Sequence, residues 1–283
     1  MASQTTRRNF LGSAAGIAGL SAAGVRPAAA AFEPEPWGIK LGVCTYSVRN
    51  FDRAKAIAMI KTLDTPWISI KDVHLKQDEP AAAIEAGAKE FRDAGLRIMS
   101  GGNVSMTETD LAGLRKHFEY AKAAGMPMMV CAPLHENLHL IEQLVKEYNI
   151  RIAIHNHGPE DKNFPTPQSV LEAVRTLDPR CGLCMDVGHT ARTGVDVVEW
   201  IVQAGPRLLD MHVKDLADFR SKDSQVDCGA GRMPFPQIFK QLKKMGYKGC
   251  VNMEYEINGN DPLPGMQRSF AYMRGVLAGL ASA

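Results

Sequence analysis

Four residues able to bind a metal ion stand where a repeating fold would gather them. His155, Asp186, His212 and Glu254 each close a short apolar run, at separations of 31, 26 and 42 residues. Two imidazoles and two carboxylates make a mixed nitrogen and oxygen site, which suits Mn²⁺, Co²⁺, Fe²⁺ or Zn²⁺ better than Ca²⁺. One histidine at a strand end is ordinary, but four such residues at consecutive strand ends are hard to explain by packing. The expectation is one divalent ion per chain, Mn²⁺ foremost, with Co²⁺, Fe²⁺, Zn²⁺ or Mg²⁺ as alternatives.

A second group follows closely. His157 lies two residues past His155, His189 three past Asp186, Lys214 two past His212 and Glu256 two past Glu254. A histidine here can shuttle protons near neutral pH, and Lys214 can neutralise an enolate oxygen. Glu254 or an unliganded histidine is expected to take the proton, and Glu256 either orients a ligand or contacts substrate. In the N-terminal half, Lys71, Asp72 and His74 end one apolar run and Asn103 follows Gly101-Gly102 after another. His74 and Asn103 are candidate contacts to substrate hydroxyls from the far wall.

Elements must bring these residues together. Eight β-prone runs follow the first thirty residues: Lys40–Tyr46, Trp67–Val73, Leu96–Ser100, Pro127–Cys131, Arg151–His155, Gly182–Asp186, Leu208–His212 and Cys250–Glu254. Stretches of helical period separate them: Asp52–Leu63, Ala81–Ala94, Asp110–Ala123, Glu136–Tyr148, Gln168–Leu177, Asp196–Gln203 and Phe235–Met245, with Gly265–Leu280 closing the chain. Eight strand-then-helix units in about 250 residues predict an α/β (β/α)₈ TIM barrel of one domain, whose catalytic side is the C-terminal rim of the strands. Gly95, Gly125 and Gly246 sit where left-handed helix caps are wanted.

The first 31 residues are read separately. Thr6-Arg7-Arg8-Asn9-Phe10-Leu11 opens a Gly-, Ala- and Leu-rich segment, and Ala28-Ala29-Ala30 offers a cleavage site. This resembles a twin-arginine export signal, leaving residues 32–283 as the barrel domain in the periplasm or another exported location. The chain has 33 basic and 31 acidic residues, and the signal holds three of the arginines and no acid. The remainder is close to neutral, so nucleic acid and an anionic membrane are not the expected partners; a small, weakly charged ligand is. The six cysteines are scattered through apolar runs, and Cys181-Gly-Leu-Cys184 lies inside a strand run with no second pair, which points to packing rather than zinc or redox chemistry.

The runs Met-Asp186-Val-Gly-His189, Met-His212-Val-Lys214-Asp215 and Met-Glu254-Tyr-Glu256 resemble the sugar phosphate isomerase/epimerase family with its xylose isomerase-like barrel. The stretch from Gly231 to Gly249 is similar as well. The resemblance runs from about Lys40 to Glu256 and is most specific in the second half. It implies one divalent metal at the barrel mouth and proton chemistry on carbonyl sugars through an enediolate. It also implies Asp186, His212 and Glu254 as ligands and His189 as a substrate contact. Many epimerases of the family carry Glu on the fifth strand, where this chain has His155-Asn156-His157-Gly158-Pro159-Glu160; His-x-His there resembles the inosose dehydratase-like branch. Either His155 is the ligand, or Glu160 swings in as the fourth ligand and leaves His155 as a base; His155 is preferred because it stands at the strand end.

The leading expectation is an exported metal-dependent isomerase, epimerase or lyase acting α to the carbonyl of an unphosphorylated keto-sugar, keto-glycoside or inosose. Two other classes are kept: an apurinic endonuclease-like metallohydrolase, disfavoured by the absence of a basic face, and a non-catalytic metal-dependent sugar-binding protein. A homo-oligomer is allowed by the sequence.

Overall fold

The computed structural model describes residues 37–282, so the expected signal and its cleavage site lie outside the described residues. The elements run β1 (Lys40–Cys44), α1 (Arg53–Lys61), β2 (Trp67–Ile70), α2 (Ala81–Asp93), β3 (Arg97–Met106), α3 (Leu111–Ala124), β4 (Met128–Pro133) and α4 (Leu138–Tyr148). They continue with β5 (Arg151–His155), α5 (Pro167–Val174), β6 (Cys181–Asp186), α6 (Val187–Arg192), α7 (Val197–Ala204) and β7 (Leu208–Val213). The last are β8 (Asp215–Leu216), β9 (Gln225–Val226), α8 (Phe235–Lys244), β10 (Cys250–Met253) and α9 (Leu263–Ala281). Eight parallel strands close in the order β1-β10-β7-β6-β5-β4-β3-β2, and β8 and β9 form a separate antiparallel pair. This is the (β/α)₈ barrel that the sequence predicts. No described helix is long and apolar enough to cross a membrane.

Local chemistry sets the boundaries. Asp52, Asp110 and Asp196 accept backbone N–H bonds at the starts of α1, α3 and α7, and Thr166 with Ser169 forms a capping box on α5. Gly95, Gly125 and Gly246 take positive φ after their helices, as their positions predict.

Three differences from the predicted elements matter. β3 runs six residues past Ser100, because Ser105 and Met106 pair with Ala132 and Pro133 of β4 beyond a register shift. The short α6 was not expected; Asp186 caps it through His189 N–H. The β8–β9 hairpin inside the loop after β7 was not expected either.

Side chains alternate across each strand. Outward residues such as Ile152, Ile154, Leu183, Met185, Met211 and Val251 join the helices in the main core. Inward residues form layers inside the barrel. Asp210 there accepts bonds from Ser100 Oγ at 2.8 Å and Asn252 Nδ2 at 2.9 Å. Met128, Val130, Ala153 and Cys184 make a small apolar cluster apart from the main core. One step further along the same strands stand His155, Asp186, His212 and Glu254. All six cysteines are buried and none forms a disulfide. Burial pushes the Cys184 thiol up to about 12.

Candidate metal centre

Barrel closure brings the four strand-end residues to one point. One ligand-capable atom each from His155, Asp186, His212 and Glu254 lies within 4.8 Å of the others. His155 Nε2 is 3.6 Å from Asp186 Oδ2, and His212 Nδ1 is 3.5 Å from Glu254 Oε1. The first three are buried and the Glu254 side chain is 13% exposed. Among the described residues, both ring nitrogens of His155 and of His212 have no hydrogen-bond partner, and Asp186 Oδ2 has only its ion pair with Lys214. Buried polar atoms left unpaired cost about 1–3 kcal/mol each, and four imidazole nitrogens facing two carboxylates ask for an ion. Burial lowers the basicity of His155 despite its neighbour Asp186, so its imidazole keeps a lone pair to offer. The donor set fits a divalent transition ion.

Asp186 is held in place from several sides. Its Oδ1 accepts His189 N–H at 2.8 Å, its own N–H donates to Asn156 Oδ1 at 3.0 Å, and Thr190 Oγ1 donates to its carbonyl at 2.7 Å.

Lys214 sets the charge. Its ammonium lies 2.8 Å from Glu254 Oε2 and 3.2 Å from Asp186 Oδ2, and it also bonds Glu256. Burial by itself would raise both ligand carboxyls, but Lys214 together with the neighbouring histidines outweighs it and holds Asp186 and Glu254 well below the usual carboxylate range. For Glu256 burial wins, and its affinity for a proton rises. Burial disfavours the Lys214 charge, yet the three carboxylates keep the side chain protonated. Fully ionised, the three carboxylates and one ammonium sum to −2, the complement of one divalent cation. Gly188 makes room for this lysine: a Cβ there would stand 2.6 Å from Lys214 Cγ.

Above the four residues opens a cavity of about 170 Å³ lined by Tyr46, Lys71, Gly102, Asn103, His155, His157, His189, Glu254 and Glu256. That is smaller than pockets for drug-sized ligands, about 300–1,000 Å³, and suits a small molecule. His157 and His189 pack against each other with ring centroids 4.7 Å apart and planes tilted by 58°. Burial lowers His189 to about 4, so it is neutral at pH 7. Lys71 Nζ donates to the Asn103 carbonyl at 2.9 Å.

Two expected site residues are not brought to this cavity. His74 is 2% exposed, and its ring nitrogens lie 3.0 Å from Thr45 Oγ1 and 3.2 Å from the Phe51 carbonyl, so it ties together the segments after β1 and β2. Glu160 is 59% exposed and ion-paired with Arg192, which holds it below its usual range, and it is not in the four-residue cluster.

Other residues were missed by sequence reasoning. Tyr46 lines the cavity with the Arg49 guanidinium 4.4 Å over its ring. Gln225 donates through Nε2 to the Glu254 carbonyl at 2.8 Å and accepts Glu256 N–H at 3.0 Å through Oε1, clamping the backbone that carries both glutamates. Asp215 accepts N–H bonds from Leu216, Gly229, Gly231 and Met233 at 2.8–3.0 Å, which folds the loop that presents Gln225. A polar residue after a barrel strand is the only local signal for any of these.

Residues 72–276 match the family described as xylose isomerase-like TIM barrel. The chain belongs to that family. Among solved members of this fold is the 3-keto-D-glucoside 4-epimerase YcjR of E. coli, at 15% identity and TM-score 0.66 over 84% of this chain and 99% of that one. Another is the IolI protein with a bound zinc atom, at 17% identity and TM-score 0.68 over 84% and 98%. At such identities the likeness shows the fold. The rhizopine catabolism protein MocC of Rhizobium meliloti is 27% identical over 139 residues, 44% of this chain and 42% of that protein. The chain spans about four tenths of the length of the curated relatives it matches.

Proposed function

We propose that this member of the xylose isomerase-like family is a divalent-metal-dependent sugar isomerase, epimerase or lyase. It removes the proton α to the carbonyl of an unphosphorylated keto-sugar, keto-glycoside or inosose. The observation that carries this reading is the convergence of His155, Asp186, His212 and Glu254, whose histidine nitrogens make no hydrogen bond and of which His155 and Glu254 line a small polar cavity. A divalent ion held by His155, Asp186, His212 and Glu254 would polarise the carbonyl and acidify the neighbouring C–H. That the E. coli neighbour is a 3-keto-D-glucoside 4-epimerase supports a keto-glycoside.

The chain's own groups divide the remaining work. Lys214 draws charge from Glu254, which weakens that residue as a base and suits it to be a ligand. Glu256 faces the same cavity with a raised proton affinity, and a base is most effective when its pKa approaches the working pH. We therefore assign proton abstraction to Glu256 rather than to Glu254. Neutral His189 donates a hydrogen bond to a substrate oxygen, and His157, 55% exposed, exchanges protons with solvent. Lys214 balances negative charge as it develops on the substrate.

The decisive experiment incubates the Mn²⁺-loaded protein with keto-glycosides, keto-sugars and inososes in D₂O. Enzyme-dependent deuterium incorporation at the α carbon is expected. A protein that binds such sugars without exchange would be a binding protein, and the reading would fail. We propose export through the Arg7-Arg8 leader on its residue pattern; conversion of both to Lys should retain the protein in the cytoplasmic fraction.

A further inference from the structure

One layer beneath the four-residue centre lies a second convergence of metal-binding atoms. The Cys184 thiol and one ring nitrogen each from His155 and His212 lie within 4.8 Å of one another, and all three residues are buried. The stagger of the barrel produces this. In the β5–β6 pairing Cys184 is the register partner of His155, while in the β6–β7 pairing it is Asp186 that meets His212. Cys184 also precedes Asp186 by two residues, so both point into the barrel, with the thiol on the deeper level.

The histidines are open on this side. A metal-bound imidazole ordinarily passes its other ring N–H to a carboxylate, carbonyl or water. Among the described residues neither ring makes a hydrogen bond at either nitrogen.

We propose that Cys184, His155 and His212 form an alternative position for thiophilic ions such as Zn²⁺, Cd²⁺ or Cu⁺, and that filling it excludes the ion held with Asp186 and Glu254. The two positions share both histidines but differ in character. The upper one adds two carboxylates and attracts by charge; the lower one adds a single sulfur and attracts by softness. A thiolate strengthens binding of soft ions, whereas Mn²⁺, lowest in the divalent series, gains little from it. On binding, the Cys184 S–H bond breaks and its proton leaves for solvent through the cavity. The sulfur lone pair and two imidazole lone pairs form the new bonds, and no electron is transferred. Two divalent ions so close would repel, so thiophilic ions are expected to inhibit by displacement.

The test uses the full chain freed of metal, with Cd²⁺ and Mn²⁺ themselves as probes. One equivalent of Cd²⁺ should raise a thiolate-to-cadmium charge-transfer band in the ultraviolet and release Mn²⁺ from the loaded protein. Cys184→Ser should abolish the band and weaken Cd²⁺ at least ~100-fold, beyond the 10–100-fold cost of losing an outer partner, while changing Mn²⁺ affinity less than ~3-fold. Asp186→Asn should do the reverse, losing Mn²⁺ and keeping the cadmium band. Absence of the band in the wild type overturns the proposal, as does a band that survives Cys184→Ser because another thiol carries it. Should that variant misfold, Cys184→Ala and the cadmium–sulfur signal in X-ray absorption of the wild type decide the matter. Failure of Mn²⁺ to bind the wild type would instead strike the proposed function, because the cadmium band does not depend on it.

Discussion

Replacing Lys214 with Met separates the charge balance of the centre from its shape. In the metal-free protein the ammonium is the cation that holds Asp186, Glu254 and Glu256 together, at 3.2 Å and 2.8 Å from the first two. The side chain is only 4% exposed, so solvent screens it little. Removing one partner from a buried ion cluster costs about 3–5 kcal/mol, since the remaining charges stay buried without compensation. For a domain of this size each kcal/mol moves the midpoint by about 2–4 °C, so unfolding in EDTA should occur about 6–20 °C lower. Metal binding should move the other way. A divalent cation on Asp186 Oδ2 would lie within about 5 Å of the ammonium, and at an effective dielectric of 20 that repulsion is about 7 kcal/mol, which sets an upper bound of ~10⁵-fold in affinity. The variant should therefore bind Mn²⁺ more tightly than the wild type and regain most of its stability when saturated. Thermal unfolding followed by circular dichroism with EDTA and with Mn²⁺, joined to calorimetric titration, reads both effects. An unchanged midpoint in EDTA together with unchanged Mn²⁺ affinity would refute the electrostatic account.

The other predictions concern individual side chains. His212→Ala should lose bound metal by elemental analysis, and Glu160→Ala should keep it, because Glu160 is paired with Arg192 away from the cluster; the opposite pattern would make Glu160 the ligand. Glu256→Gln should retain metal and slow α-proton exchange at least ~10²-fold, the worth of a positioned base, whereas Glu254→Gln should weaken metal binding first. Gln225→Ala removes both bonds that clamp Glu254 and Glu256 and should lower Mn²⁺ affinity by about 10-fold with little change in secondary structure; wild-type affinity would show that the clamp is idle. His189 is lowered from 6.5 to about 4, so the unfolded chain binds a proton that the folded one refuses. Its contribution is full above pH 6.5 and is lost as pH falls toward 4, with up to about 3 kcal/mol at stake. In EDTA the wild type should lose stability across that window more steeply than His189→Asn, and parallel curves would count against it.

How much of this was legible beforehand follows from the range of the forces involved. Parallel barrel strands are covered on both faces, so they read as continuous apolar runs, and Asp or Thr caps and left-handed glycines mark the helices between them. Those signals act within a few residues and survive in the bare sequence. The ends of β5, β6 and β7 were therefore visible, and with them the convergence of His155, Asp186 and His212. Past a strand end the period of two stops and side-chain direction is no longer local. That is why His74, read as a substrate contact, and Glu160, read as the alternative ligand, instead meet Thr45 and Arg192. β3 also ran through a Gly-Gly-Asn stretch that reads as a turn, because pairing with β4 overrode it.

Lys214 shows the same limit in its charge. Its residue type announces a cation near the mouth, but its carboxylate partners lie 28, 40 and 42 residues away and meet it only when the barrel closes. Gln225 finds the Glu254 and Glu256 backbone through a loop that Asp215 folds, and no spacing encodes that. The sequence by itself determined the eight barrel strands, most of the helices between them and the residue types of the candidate metal centre, since propensity and side-chain type are local properties. Only the tertiary structure decided which ligand atoms lack partners, which carboxylate keeps its proton affinity and which thiol lies beneath the histidines, because burial and Coulomb energy depend on neighbours supplied by distant segments.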